Sequence, residues 1–156
     1  MMSYKERSIW LSLGVLVSLW FNYFYALNEL HVMQKLTVEA VNDLLFNVVI
    51  FTIILEVMLQ IVTAVINNKE ANYSADERDQ LISLHASRNA YSLLSIGVFL
   101  AVFYTVFPTL SSYVFPTMNL PNAYKVMHLI IIFALISEIL KFTTQIFYYR
   151  RGFIYG

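Results

Sequence analysis

Four apolar stretches, at about residues 9–26, 44–66, 90–107 and 123–147, fix what this chain of 156 residues can become. Each approaches the roughly 20 residues that an α-helix needs to cross a hydrocarbon core of about 30 Å. Lipid offers no partner to backbone amides and carbonyls, so apolar stretches of this length are satisfied there only as helices. Composition agrees: 59% of the residues are hydrophobic and 16% aromatic, and only 13% are charged, more apolar surface than a soluble domain of this length could bury. The expected fold is all-α, an integral membrane four-helix bundle forming a single transmembrane domain over residues 1–156.

The connections decide orientation. Lys5, Arg7, Lys69, Arg78, Arg88, Arg150 and Arg151 fall on the side shared by both termini and the central connection, against Lys35 and Lys125 on the other. Basic residues stay in the cytoplasm, so N and C termini are expected there. The first apolar stretch follows no extended basic region and lacks a small-x-small cleavage site before Tyr25 and Ala26, and it reads as a retained span.

The two halves of the chain resemble one another. Gly14, Ser18 and Asn22 match Gly97, Ala101 and Thr105 at an offset of 83, and Glu56 and Lys69 match Glu138 and Arg151 at 82. The pattern predicts two tandem helical hairpins related by duplication, with a pseudo-twofold axis along the membrane normal; the competing explanation is a chance alignment of apolar helices. Spacings of four put each small-residue trio on one helix face, and Gly14, Ser18, Gly97 and Ala101 are expected to pack helices, within the chain or between two copies.

Ionisable residues inside spans are the candidates for function. Each costs roughly 3 kcal/mol near the bilayer centre unless partnered. The second span carries Thr52, Glu56, Gln60, Thr63 and Asn67 at spacings of three or four, and the fourth carries Ser137, Glu138, Lys141, Thr144, Gln145 and Tyr148. Both stripes should face the bundle interior, where Glu56, Gln60, Glu138, Lys141 and Gln145 would form a polar cluster. Two explanations compete. Lys141 bridging two carboxylates would fix helix register as a structural network. A surplus negative charge would instead let one carboxylate load and release a proton along a cation pathway.

Ser74-Ala-Asp-Glu77 has the form of a capping box. It predicts a cytoplasmic amphipathic helix at about 75–89, with Asp76, Glu77 and Asp79 in its first turns, Leu81, Leu84, His85 and Arg88 on one face, and a run into the third span. On the other side, Leu27 to Asp43 reads as a short amphipathic helix, and Pro108 to Pro121 as an apolar cap or contact surface.

The chemistry-bearing motifs are few. Without cysteine there are no disulfides, thiolate metal sites or cysteine nucleophiles. No H-E-x-x-H, nucleophile elbow or phosphate loop occurs, so no catalytic residue is assigned. His31 and His128 could meet at the outer side as a metal or haem site, the weakest of the readings, and no cofactor is expected. A formal net charge of zero implies no nucleic-acid partner.

The segment Asp76-Glu-Arg-Asp-Gln-Leu-Ile82, with Arg88 opening a span, and the ending Glu138, Lys141, Gln145, Tyr148-Tyr-Arg-Arg-Gly152 resemble features of small uncharacterised prokaryotic multispan membrane proteins. That resemblance implies a bacterial cytoplasmic-membrane protein and transfers no activity. Three readings follow: a regulatory, assembly or sensing subunit of a membrane system; a proton- or cation-coupled transporter or channel using Glu56, Glu138 and Lys141; and a membrane redox or metal protein. Four spans enclose little beyond their own side chains, which points to a homo-oligomer or a membrane protein partner within the lipid bilayer.

Overall fold

The computed structural model describes residues 4–66, 77–107 and 120–151, all within or flanking four helices. They are α1 (Tyr4–Val32), α2 (Val38–Ile66), α3 (Glu77–Val106) and α4 (Asn122–Arg151), of 29 or 30 residues each. At 1.5 Å per residue each is about 44 Å long, and all four are long and apolar enough to cross a membrane. The chain is a multi-pass, four-span membrane protein.

Every helix is longer than its apolar stretch. Asn28, Glu29 and His31 extend α1 because polar residues beyond the hydrocarbon do not break a helix, and the expected amphipathic helix at Leu27 to Asp43 is replaced by a tight turn. Backbone hydrogen bonds close the turn. The Lys35 amide donates to the Leu30 carbonyl at 2.9 Å and the Gln34 amide to His31 at 3.1 Å, with Gln34 at a φ of 58°. This is a Schellman ending, in which the left-handed residue is usually glycine. Thr37 then caps α2, its hydroxyl accepting from the Ala40 amide at 3.2 Å.

At the other end, α3 is one continuous helix from Glu77; Ser74 and Asp76, and with them the capping box, lie outside the described residues. The expected face of Leu81, Leu84, His85 and Arg88 is not the one that packs. Leu84 is exposed, whereas Ile82, Ala86, Ala90, Gly97, Ala101 and Tyr104 are buried. The reason is steric: small side chains at Ala86, Ala90, Gly97 and Ala101 let α4 approach closely. A Cβ built on Gly97 would overlap the side chain of Phe133. The corresponding Gly14 has open space around it.

α3 packs most extensively on α4, α1 packs on α2, and α1 also packs on α4. A twofold relation between hairpins would pair α2 with α3 as it pairs α1 with α4, yet among the described residues α2 and α3 share little contact. The bundle is therefore open along that edge. Only 6% of the apolar stretch of α2 is buried, against 22% in α3. A buried apolar cluster ties α1 and α2 to the segment just before α4 through Tyr23, Leu27, Val41, Val48 and Leu120.

Candidate functional site

One end of the bundle collects the charges. The starts of α1 and α3 and the end of α4 meet there, so oppositely charged terminal residues face one another across helices. Lys5 Nζ lies 2.7 Å from Asp79 Oδ2, and the Tyr149 hydroxyl donates to Asp79 Oδ1 at 2.9 Å, so one carboxylate joins α1, α3 and α4. Arg150 Nε donates to the buried Glu6 at 3.0 Å, and its guanidinium lies over the Trp10 ring at 5.5 Å. Charge-assisted bonds of this kind are stronger than neutral ones. His85 and Tyr148 meet edge to face at 6.4 Å, adding a further α3–α4 contact.

Between α1 and α3, over α4, lies a cleft of about 610 Å³ at this end, its walls including Lys5, Asp79, Ser8, Ser83, Ser87 and Gln145. Gln145 and Tyr149 line it from α4. Lys141 and Glu138, one and two turns above Gln145, are on the same side of that helix, so the polar wall continues into the span. At 1.5 Å per residue Lys141 is about 15 Å and Glu138 about 20 Å from the end of α4, which puts Glu138 near mid-depth. Lys141 donates to Glu138 at 2.9 Å. The side chains are 30% and 45% exposed.

Glu56 has a different partner. The Ser12 hydroxyl of α1 donates to it at 3.1 Å, about 15 Å from the end of α2 and so at about the depth of Lys141. Lys141 is satisfied by the carboxylate three residues before it, and α2 packs chiefly on α1, so the residues grouped as one cluster do not all meet. Glu138 and Lys141 pair on α4, Glu56 meets Ser12, and Gln145 faces the cleft. Gln60 is exposed on α2; Asn67 and the side chain of Thr63 lie outside the described residues. Ser137 is buried with its hydroxyl unpaired among the described residues.

The opposite end is held by a hydrogen-bonded relay. The Tyr23 hydroxyl on α1 is 2.7 Å from His128 Nε2, and His128 Nδ1 is 2.6 Å from the Tyr124 carbonyl. A carbonyl only accepts, so Nδ1 carries the hydrogen and Nε2 accepts from Tyr23. The Tyr124 hydroxyl donates to Asn42 of α2 at 2.9 Å. His128 is 1% exposed with both nitrogens engaged, so metal ligation would require breaking this relay. His31 sits half-buried in the last turn of α1. Among the described residues no group of three or more His, Asp or Glu is placed to hold a metal ion.

Of the small residues, Gly97 and Ala101 lie in the α3–α4 seam, whereas Gly14 and Ser18 line a groove of about 360 Å³ beside Leu55 of α2. Of the residues expected on a cytoplasmic helix, Asp79 is the junction just described, and Glu77 and Arg88 are exposed. Sequence reasoning missed Lys5, Glu6, Ser12 and Tyr23. The signal for the first two was present, since the positive-inside count already put Lys5 and Arg150 at one end with Glu6 and Asp79. No protein-family model, characterised protein or solved structure matches the chain.

Proposed function

We propose that the protein is a small multi-pass subunit of a membrane assembly, with both termini in the cytoplasm of a bacterial cell, and that it assembles through the face of α4 that carries Glu138 and Lys141. The observation that carries this reading is the Glu138–Lys141 pair, 45% and 30% exposed at a depth where lipid would otherwise surround it. Charges at that depth need cover from protein or from a water-filled cavity. An acid and a base three residues apart are self-complementary. In a twofold contact, Glu138 of one copy faces Lys141 of the other, which favours a second copy of this chain as the cover. Such a subunit supports assembly, regulation or sensing through contacts inside the bilayer, and it needs no catalytic group.

The test is the mass of the particle in lipid nanodiscs, measured for the native chain and for Glu138→Gln and Lys141→Met. The native protein is expected as a dimer or larger, and each variant shifts toward the monomer with its helix content retained. A native monomer at all protein-to-lipid ratios would sink the proposal.

A second reading is favoured by the polar wall that climbs from the cleft through Gln145 to Lys141 and Glu138: a proton- or cation-coupled site loaded from the charged end. Flux in proteoliposomes under proton and cation gradients separates the two. Flux lost in Glu138→Gln supports coupling; no flux under any gradient leaves the subunit reading.

A further inference from the structure

The cleft at the charged end contains groups that no contact within the bundle uses. Most of Gln145 is covered, but its amide opens on the cleft and has no hydrogen-bond partner among the described residues. The hydroxyls of Ser8, Ser83 and Ser87, which line the same cleft, are likewise without a partner among the described residues. The charges are in the opposite condition: Lys5 is taken by Asp79, and Asp79 accepts from both Lys5 and Tyr149.

We infer that this cleft binds an uncharged polyhydroxyl group such as a sugar. An anion would have to draw Lys5 away from Asp79, and a cation would have to displace it, so charged ligands break the junction that ties the three helices. A ring of hydroxyls both donates and accepts, as Gln145 and the serines do. Ile9 and Leu84 offer apolar surface to its C–H face. The volume of about 610 Å³ falls within the range of small-molecule sites. The position at a helix-terminal end suits either a free sugar or the headgroup of a glycolipid in the same leaflet, and the two share this chemistry.

The experiment uses the full chain in phosphatidylcholine nanodiscs, prepared without sugar-based detergents. Thermal unfolding is followed with free methyl glucoside, and separately with nanodiscs containing monoglucosyl diacylglycerol. The native protein is expected to unfold at higher temperature with at least one of them. A shift with the lipid alone identifies a headgroup site, and a shift with methyl glucoside identifies a site for the soluble sugar. Ser87→Ala, an exposed position away from the helix seams, weakens binding several-fold, and Gln145→Leu weakens it about tenfold. No shift with either ligand overturns the inference. So does an equal shift in native protein and Ser87→Ala together with Gln145→Leu, or with Ser83→Ala where Gln145→Leu does not fold.

Discussion

The Tyr23 hydroxyl and the Nε2 atom of His128 meet at 2.7 Å across the α1–α4 seam, joining the two hairpins by a hydrogen bond between buried side chains. The pairing fixes the histidine tautomer, because the Tyr124 carbonyl takes the other nitrogen's hydrogen. Tyr23→Phe keeps the ring and removes the donor, leaving a buried acceptor unsatisfied. The expected loss is about 1–3 kcal/mol in a denaturant titration in detergent, with the helix content unchanged. Equal stability of Tyr23→Phe and native protein would show that the bond contributes nothing.

The two in-span glycines should behave oppositely. Gly97 faces Phe133, where an added methyl forces a shift, so Gly97→Ala is expected to destabilise by about 1–3 kcal/mol. Gly14 has nothing within 4 Å, and Gly14→Ala should be neutral or stabilising by up to about 1 kcal/mol, as alanine favours the helix. Unfolding curves for the two variants, compared side by side, check the sign of each. A loss at Gly14 equal to that at Gly97 would mean that α1 is packed as tightly as α3.

The α1–α2 turn offers a stabilising substitution. Gln34 holds a φ of 58°, a conformation that costs an L side chain roughly 1 kcal/mol. Gln34→Gly should raise the unfolding midpoint, while Thr37→Ala, which removes the α2 cap, should lower stability by about 1 kcal/mol. A destabilised Gln34→Gly would contradict the left-handed turn.

Asp79 serves two helices at once, which makes its deletion non-additive. In a double-mutant cycle, Lys5→Met and Tyr149→Phe should each lose less than Asp79→Ala, and neither should add to it once Asp79 is gone. Full additivity of Lys5→Met with Asp79→Ala would mean that the two residues do not interact.

The spans were legible in the sequence because long apolar runs leave a chain little choice in lipid, whereas the helix ends were not: Asn28 and Glu29 read as a connection yet continue α1. Polar spacing identified the side of α4 that carries Glu138, Lys141 and Gln145 as one face. It could not tell that Lys141 pairs along its own helix or that Glu56 turns to Ser12, since partners depend on which helices are neighbours. The α1–α4 seam, and with it Tyr23 and His128, follows from that same choice. The turn at Gln34 had no glycine to announce it. The matched glycines suggested equal roles, but only Gly97 sits in a seam, because the hairpins pack unequally.

The most direct test of intramembrane assembly exploits the absence of cysteine. A single cysteine at Ala134, one turn from Glu138 on the same side of α4, is placed in lipid and oxidised. Assembly through the Glu138–Lys141 face predicts a disulfide-linked dimer that forms with Ala134→Cys and not with Thr143→Cys on the opposite side of the helix, and that is lost on adding Lys141→Met. Equal cross-linking from both positions, or none from Ala134→Cys, would contradict it.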